Sequence, residues 1–91
     1  MLREGQQVGN YVVLDEIGVG GMAIVYKVRH TVLESVHAMK VLLPHLLRAE
    51  GVLDRFVEEA KIQAQFRHPT LVRVTDIVSE PGIAGLVMDY L

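Results

Sequence analysis

A cluster of glycines, one lysine and one glutamate are the residues of this chain whose types and spacing favour chemistry on a charged ligand. Gly18, Gly20 and Gly21 form the cluster, and Lys40 follows twenty residues after Gly20. Glycine lets a backbone approach a ligand closely and adopt positive φ, so main-chain N–H groups can point at phosphate oxygens. A lysine among apolar residues must be paired or reach water. A phosphate beneath the glycine loop would provide a partner for Lys40, and Glu59 on a packed helix could hold the ammonium group in place.

Each of these residues has an ordinary interpretation when it is taken alone. The loop would suit a simple glycine hairpin, because Ala23 stands where GxGxxG has its third glycine. A solitary Lys40 is more often a surface lysine, and a solitary Glu59 is more often solvated. A dinucleotide-binding unit requires a helix directly after the loop. Residues 23–28 are rich in β-branched side chains, which favours a strand and argues against that unit.

The elements that must position these residues are strands on both sides of one helix. Pro44 ends the third strand, and Pro81-Gly82 is a turn signal between the last two. The predicted strands cover residues 11–17, 23–28, 36–43, 71–78 and 83–90.

A helix is predicted between the third and fourth strands. Its apolar residues recur at three- and four-residue steps, and Arg67-His68-Pro69 closes it, because the residue before a proline avoids the helical region. The apolar stripe consists of Leu53, Phe56, Val57, Ala60 and Ala64. We therefore expect an α+β fold, a five-stranded antiparallel sheet with one main helix, as a single domain over residues 1–91.

Composition excludes several function classes. The net charge is −2 and the pI about 6.0, whereas nucleic-acid-binding domains are usually basic. The chain has no cysteine, which excludes disulfides and thiolate metal sites and fits a cytoplasmic location. No apolar run approaches the length of a membrane helix. The four histidines (His30, His37, His45 and His68) form no closely spaced pair, so we expect no metal site.

Four motifs in fixed order resemble the N-terminal lobe of bacterial, eukaryotic-like serine/threonine protein kinases. The glycine loop and the strand lysine belong to the kinase signature set, and the resemblance covers about Val8 to Leu91. The motifs are Gly18-Val19-Gly20-Gly21-Met22-Ala23-Ile24-Val25-Tyr26, His37-Ala38-Met39-Lys40, Phe56-Val57-Glu58-Glu59-Ala60 and Leu86-Val87-Met88-Asp89-Tyr90-Leu91.

The resemblance implies a role for each matched position. Lys40 would contact the α- and β-phosphates of ATP, and Glu59 would pair with Lys40 in the active arrangement. The carbonyl of Asp89 and the N–H of Leu91 would meet the adenine edge. The other implied positions are a lid of Gly18, Val19, Gly20 and Gly21, an upper adenine wall of Ile17, Val25 and Ala38 with Val72 at its back, and Met88 as gatekeeper.

The implied function is the ATP-binding half of a kinase that phosphorylates serine or threonine in an unknown protein substrate. These 91 residues contain no His-Arg-Asp loop and no Asp-Phe-Gly, so they lack the catalytic base and the magnesium ligands of a complete kinase. We expect the chain alone to be inactive. Because the sequence ends at Leu91, within the implied hinge, we expect a truncated kinase. The alternative is a stand-alone kinase-like interaction or dimerisation module without catalysis.

Two positions depart from the family pattern. Ala23 replaces the third loop glycine, and a small residue there should still permit binding. Gln63, one turn after Glu59, stands where relatives often place an apolar residue. We expect this polar residue to make the active alignment of the helix depend on a partner.

The aliphatic content predicts a docking face. Hydrophobic residues make up 51% of the chain, compared with about 45–50% in average domains when glycine is included. The kinase's own C-terminal lobe would cover part of that surface. Without that lobe we expect self-association, with a homodimer as the default, through the uncovered face or through the back of the sheet. The residues expected at the uncovered face are Val72, Val74, Met88, Tyr90 and Leu91.

Overall fold

The computed structural model describes residues 2–65 and 73–90, which form six antiparallel strands and two helices. The spatial order of the sheet is β1-β2-β3-β4-β6-β5, so β6 lies between β4 and β5. In chain order the elements are β1 (Gln7–Val8), β2 (Tyr11–Val19), β3 (Ala23–His30), β4 (Val36–Leu42), α1 (Pro44–Leu47), α2 (Val52–Gln65), β5 (Val74–Glu80) and β6 (Ile83–Asp89).

One face of the sheet encloses the larger apolar core. Successive side chains of a strand point to opposite faces, so Met39 and Val41 of β4 enter this core while Ala38, Lys40 and Leu42 point to the other face. The core consists of Val8, Tyr11, Val13, Tyr26, Val28, Met39, Val41, Val78 and Val87.

Two hydrogen bonds join the opposite ends of the curled sheet. The Tyr11 hydroxyl on β2 donates to Asp76 Oδ2 on β5 at 2.8 Å. The Gly9 N–H donates to Glu80 Oε1 at 2.7 Å. Because β5 is the last strand in the order, these bonds bring it against the β1–β2 end, and the core is enclosed between them.

The helix α2 packs on the second face of the sheet. Phe56 and Ala60 contact a smaller cluster formed with Leu42, Ala84 and Leu86. The short helix α1 precedes α2, with Pro44 at its start, where a missing N–H is tolerated. The second face of the sheet therefore carries α2 at one end.

The predicted α+β fold with one main helix is confirmed, and all five predicted strands are present. The sheet has a sixth strand, β1, because a strand of two residues gives no detectable alternation in a sequence. The four-residue α1 was also missed, since Pro44 predicted only the end of a strand. The predicted end of the long helix at residues 67–69 lies outside the described residues. No helix in the described part of the chain is long and apolar enough to cross a membrane.

Candidate functional site

The strand register brings the glycine loop and Lys40 into one row on the face that α2 shares. Gly18 is paired with Val25, Val25 with Lys40, and Lys40 with Leu86 across β2, β3, β4 and β6. Backbone pairing thus fixes the proximity that the sequence suggested for Lys40 and the loop. An ammonium group in this row lies where it can attract a group held under the loop.

Lys40 is exposed, although its two neighbours on β4 are fully buried. Met39 and Val41 each have 0% exposure, which anchors the strand on both sides of the lysine. Within residues 2–65 and 73–90, the Lys40 ammonium forms neither an ion pair nor a hydrogen bond. The structure therefore presents a fixed strand position with a cation available to a ligand.

The glycine loop connects β2 and β3 through a tight turn in which the Gly20 N–H donates to the Ala23 carbonyl at 2.8 Å. None of Gly18, Gly20 and Gly21 has positive φ here, so the expected left-handed conformation is absent. A Cβ at Gly21 would meet no heavy atom of the chain within 4 Å, and one at Gly20 would meet only the Ala23 carbonyl oxygen, at 3.6 Å. Neither backbone conformation nor internal packing demands these glycines, which fits a loop that leaves space for a ligand.

The next row along the sheet provides an apolar surface beside Lys40. Lys27 is paired with Ala38, and Ala38 with Met88. Ala38 is buried, and Met88 is half-buried against the α2 cluster. The side chain of Ala38 is the smallest in this row, between Lys27 and Met88. The other expected wall residues are Val25, which is half-buried, and Ile17 and Val19, which are 46% and 71% exposed.

The end of β6 is held by β4 and by the segment before β5. Asp89 is paired with His37, its N–H donates to the Arg73 carbonyl at 3.1 Å, and its Oδ2 lies 4.0 Å from Arg73 Nε. These contacts fix the strand end that precedes Tyr90. The expected site residues Val72 and Leu91 lie outside the described residues.

Glu59 does not form the expected ion pair with Lys40 in this structure. The ion pairs among the described residues are Lys61–Glu58 and Arg73–Asp89. Glu59 instead lines a hollow of about 160 Å³ together with Met22, Val52, Arg55 and Phe56. An exposed pair of opposite charges gains only about 0–1 kcal/mol, so the attraction between Lys40 and Glu59 is too weak to determine the position of α2.

A contact between Lys27 and Tyr90 was not predicted. The Lys27 ammonium lies 5.1 Å from the centroid of the Tyr90 ring, within cation–π range. The two residues are far apart in the sequence, and only the register of β3, β4 and β6 brings them to the same face. No sequence motif marked either residue as a partner of the other.

Two of the three histidines in the described part of the chain, His30 and His37, have structural partners, whereas His45 is exposed on α1. His30 Nδ1 accepts hydrogen bonds from the N–H groups of Val32 and Leu33, and His37 shares a 2.7 Å hydrogen bond with Ser35 Oγ. No group of three or more His, Cys, Asp or Glu residues among residues 2–65 and 73–90 has a metal-binding arrangement.

This sheet, with a lysine beneath a glycine loop and one helix on the same face, is the N-terminal lobe of a protein kinase. The protein kinase domain model matches residues 11–91, so the chain belongs to the protein kinase family. The chain is 35% identical over 88 residues to a probable serine/threonine-protein kinase of Clostridium perfringens. That alignment covers 96% of the chain and 13% of the clostridial protein. It is 34% identical over 83 residues to the serine/threonine-protein kinase PrkC of Bacillus subtilis, covering 91% of the chain and 13% of PrkC.

Solved structures agree with this assignment. A crystal structure of the Mycobacterium tuberculosis PknI kinase domain, carrying two substitutions, matches with a TM-score of 0.86 and 30% sequence identity. The match covers 100% of the chain and 36% of that kinase domain. The chain therefore corresponds to the N-terminal part of a protein kinase domain and spans only a small part of the length of the relatives named above.

Proposed function

We propose that these residues form the ATP-binding lobe of a serine/threonine protein kinase, which in its complete form transfers the γ-phosphoryl group of ATP to a protein hydroxyl. The observation that carries this proposal is the row formed by Gly18, Val25 and Lys40. That row combines an open glycine loop with a cation that no described residue engages. The alternative of a non-catalytic interaction module is not favoured, because the relatives named above are serine/threonine kinases.

The described residues divide the proposed nucleotide site into two ends. At the phosphate end, backbone N–H groups of the loop and the Lys40 ammonium would bind the phosphates. At the base end, Ala38 and Met88 would contact the adenine ring, and the carbonyl of Asp89 would accept a hydrogen bond from its edge. Phosphoryl transfer depends mostly on positioning and electrostatic stabilisation, so this lobe would supply the fixed cation and the apolar wall.

Magnesium would neutralise the developing charge on the phosphates in the complete kinase. Its ligands and the catalytic base belong to kinase segments that the 91 residues do not include. We propose the kinase's own C-terminal lobe, a protein substrate of unknown identity and a second copy of the chain as the other partners. We also propose a cytoplasmic location.

Nucleotide binding tests this proposal directly. The complete protein that carries these residues is titrated with a fluorescent ATP analogue, as wild type and as Lys40→Met. Loss of a charge-assisted hydrogen bond costs about 1.5–3 kcal/mol, so Kd should rise by about tenfold or more. Lys61→Met is the matched control, because Lys61 is also an exposed lysine but pairs with Glu58. A wild type that binds no nucleotide, or an unchanged Kd in Lys40→Met, would refute the proposal.

A further inference from the structure

We infer that Lys27 and Tyr90 form the outer edge of the base end of the nucleotide site, and that Lys27 is a positioning residue for the segment that follows β6. This inference rests on the proposed nucleotide-binding function. It adds two residues that neither the glycine loop nor the strand-lysine motif includes. Its basis is the contact between the Lys27 ammonium and the Tyr90 ring, at 5.1 Å from the ring centroid.

The strand register determines where this contact lies relative to the glycine loop. The row of Val25, Lys40 and Leu86 lies beside the glycine loop, and the row of Lys27, Ala38 and Met88 is the next one away from it. Tyr90 is two residues beyond Met88, so the alternation of side chains assigns it to the same face as Met88. The contact therefore lies at the end of the site opposite the loop.

The contact also connects two parts of the site that no other described side-chain interaction joins. Lys27 belongs to β3, which follows the loop, whereas Tyr90 follows β6. Between them lies Ala38, which is paired with Lys27 on one side and Met88 on the other and would contact the base in the proposed site. A cation held on the Tyr90 ring restrains the distance between these two walls, and it adds to the contacts with His37 and Arg73 that hold the adjacent Asp89.

Exposure makes the contact adjustable. Tyr90 is 39% exposed and Lys27 is half-buried, so both side chains are reachable from solvent. A cation–π contact in such a place is modest, and its loss should leave the fold intact. Its effect should instead appear in the affinity for the base, because the contact lies at the base end.

The test compares ATP with adenosine, which has the base but no phosphates. Isothermal titration of the complete protein measures Kd for both ligands, in wild type, Lys27→Met and Lys40→Met. We expect Lys27→Met to raise the Kd for ATP and the Kd for adenosine by the same factor, about threefold. Lys40→Met should raise the Kd for ATP by about tenfold or more and leave the Kd for adenosine unchanged. A Lys27→Met variant that weakens ATP alone would make Lys27 a phosphate attractant and overturn the inference.

Conservative variants distinguish positioning from a general loss of structure. Lys27→Arg and Tyr90→Phe keep the cation and the ring, so both should retain wild-type Kd for adenosine. Tyr90→Leu should raise the Kd for adenosine by the same factor as Lys27→Met. The variant that carries both substitutions should bind adenosine no more weakly than either single variant. Independent, multiplicative effects in the double variant would overturn the inference. Unchanged adenosine binding in Lys27→Met would refute this inference alone, whereas a wild type that binds neither ligand would refute it together with the proposed function.

Discussion

Lys40 on β4 and Glu59 on α2 are both exposed and oppositely charged, yet they form no ion pair in this structure. The helix is held by apolar contacts of Phe56 and Ala60 instead. Glu59 lies three residues after Phe56 and lines the same hollow, so it borders the packed face of the helix, whereas Glu58 points away and pairs with Lys61. An ion pair between Glu59 and Lys40 would therefore require α2 to move, and we expect a ligand or partner to stabilise that arrangement.

Replacement of Glu59 by glutamine should lower the activity of the complete kinase without changing its stability. The carboxylate has no ion-pair partner among the described residues, so the free energy of unfolding should change by less than about 0.5 kcal/mol. Turnover should fall by about tenfold or more, because the proposed function requires Glu59 to orient Lys40 during transfer. The measurements are steady-state phosphorylation of a protein substrate and urea unfolding.

Glu58→Gln is the matched control for that experiment, since it removes a neighbouring exposed carboxylate that pairs with Lys61. It should leave turnover within about twofold of wild type. If the two glutamine variants were equally active, the assignment of Glu59 as the partner of Lys40 would be wrong.

Lys40→Met should reduce phosphoryl transfer by the complete kinase by orders of magnitude, because electrostatic positioning of the phosphates is most of what a kinase supplies. The fold should persist, since Lys40 is exposed and only its neighbours are buried. Circular dichroism and radiolabelled phosphate transfer check both statements. Near-normal turnover in Lys40→Met would remove this lysine from the mechanism.

The sequence predicted the elements and the site positions to different degrees. Strong alternation and the glycine and proline signals located β2, β3, β4 and β6, and the apolar stripe located α2. The row of Gly18, Val25 and Lys40 was suggested by spacing and is fixed by register. Strand β1 escaped prediction because its two residues are held by pairing with β2, and pairing leaves no periodic signal.

Interactions between distant residues could not be predicted from the sequence. The bond between Tyr11 and Asp76 and the contact between Lys27 and Tyr90 depend on how far the sheet curls and on strand order. Among the residues expected at an uncovered face, Tyr90 is exposed as expected, whereas Val74 is buried. Val74 lies at the junction of β5 and α2, so the helix covers it.

Gly9→Ala should destabilise the chain more than Gly5→Ala. Both glycines have positive φ, +58° at Gly9 and +86° at Gly5, so alanine is strained at either position by about 1–2 kcal/mol. A Cβ at Gly9 would also approach Val78 Cγ1 to 3.2 Å, whereas one at Gly5 would meet nothing within 4 Å. The difference between the two variants in urea unfolding therefore measures the packing at the sheet closure. Equal destabilisation would show that Val78 adjusts without cost.

Self-association should be concentration-dependent and should involve the exposed apolar tip between β3 and β4. Val32 and Leu33 are 78% and 72% exposed, and adjacent apolar groups of this kind favour contacts. Light scattering after size exclusion at tens of micromolar should show a species larger than the monomer. Replacement of both Val32 and Leu33 by serine should lower the fraction of that larger species. Ile62→Ser, on the outer side of α2, is the control. A clean monomer at every concentration would contradict this expectation.

The stability of the chain should fall in alkaline solution because of Tyr11. Burial raises the pKa of the Tyr11 hydroxyl to about 12, and its hydrogen bond to Asp76 and the negative charge of that residue act in the same direction. The ordinary pKa of tyrosine is about 10. The folded state thus favours the neutral phenol, and this contribution is fully present below pH 10 and lost as the pH rises from 10 to 12. A pKa raised by this amount contributes about 2–3 kcal/mol to the free energy of unfolding below pH 10.

Tyr11→Phe separates this effect from the ionisation of lysines in the same range. Below pH 10 the variant should be less stable than wild type by about 0.5–1.5 kcal/mol, because it lacks the hydrogen bond to Asp76. Between pH 10 and 12 wild type should lose about 2–3 kcal/mol of stability that the variant does not lose, so the two curves should approach each other and cross. Urea unfolding at several pH values measures both curves. Parallel curves over that range would show that the Tyr11 hydroxyl does not control alkaline stability.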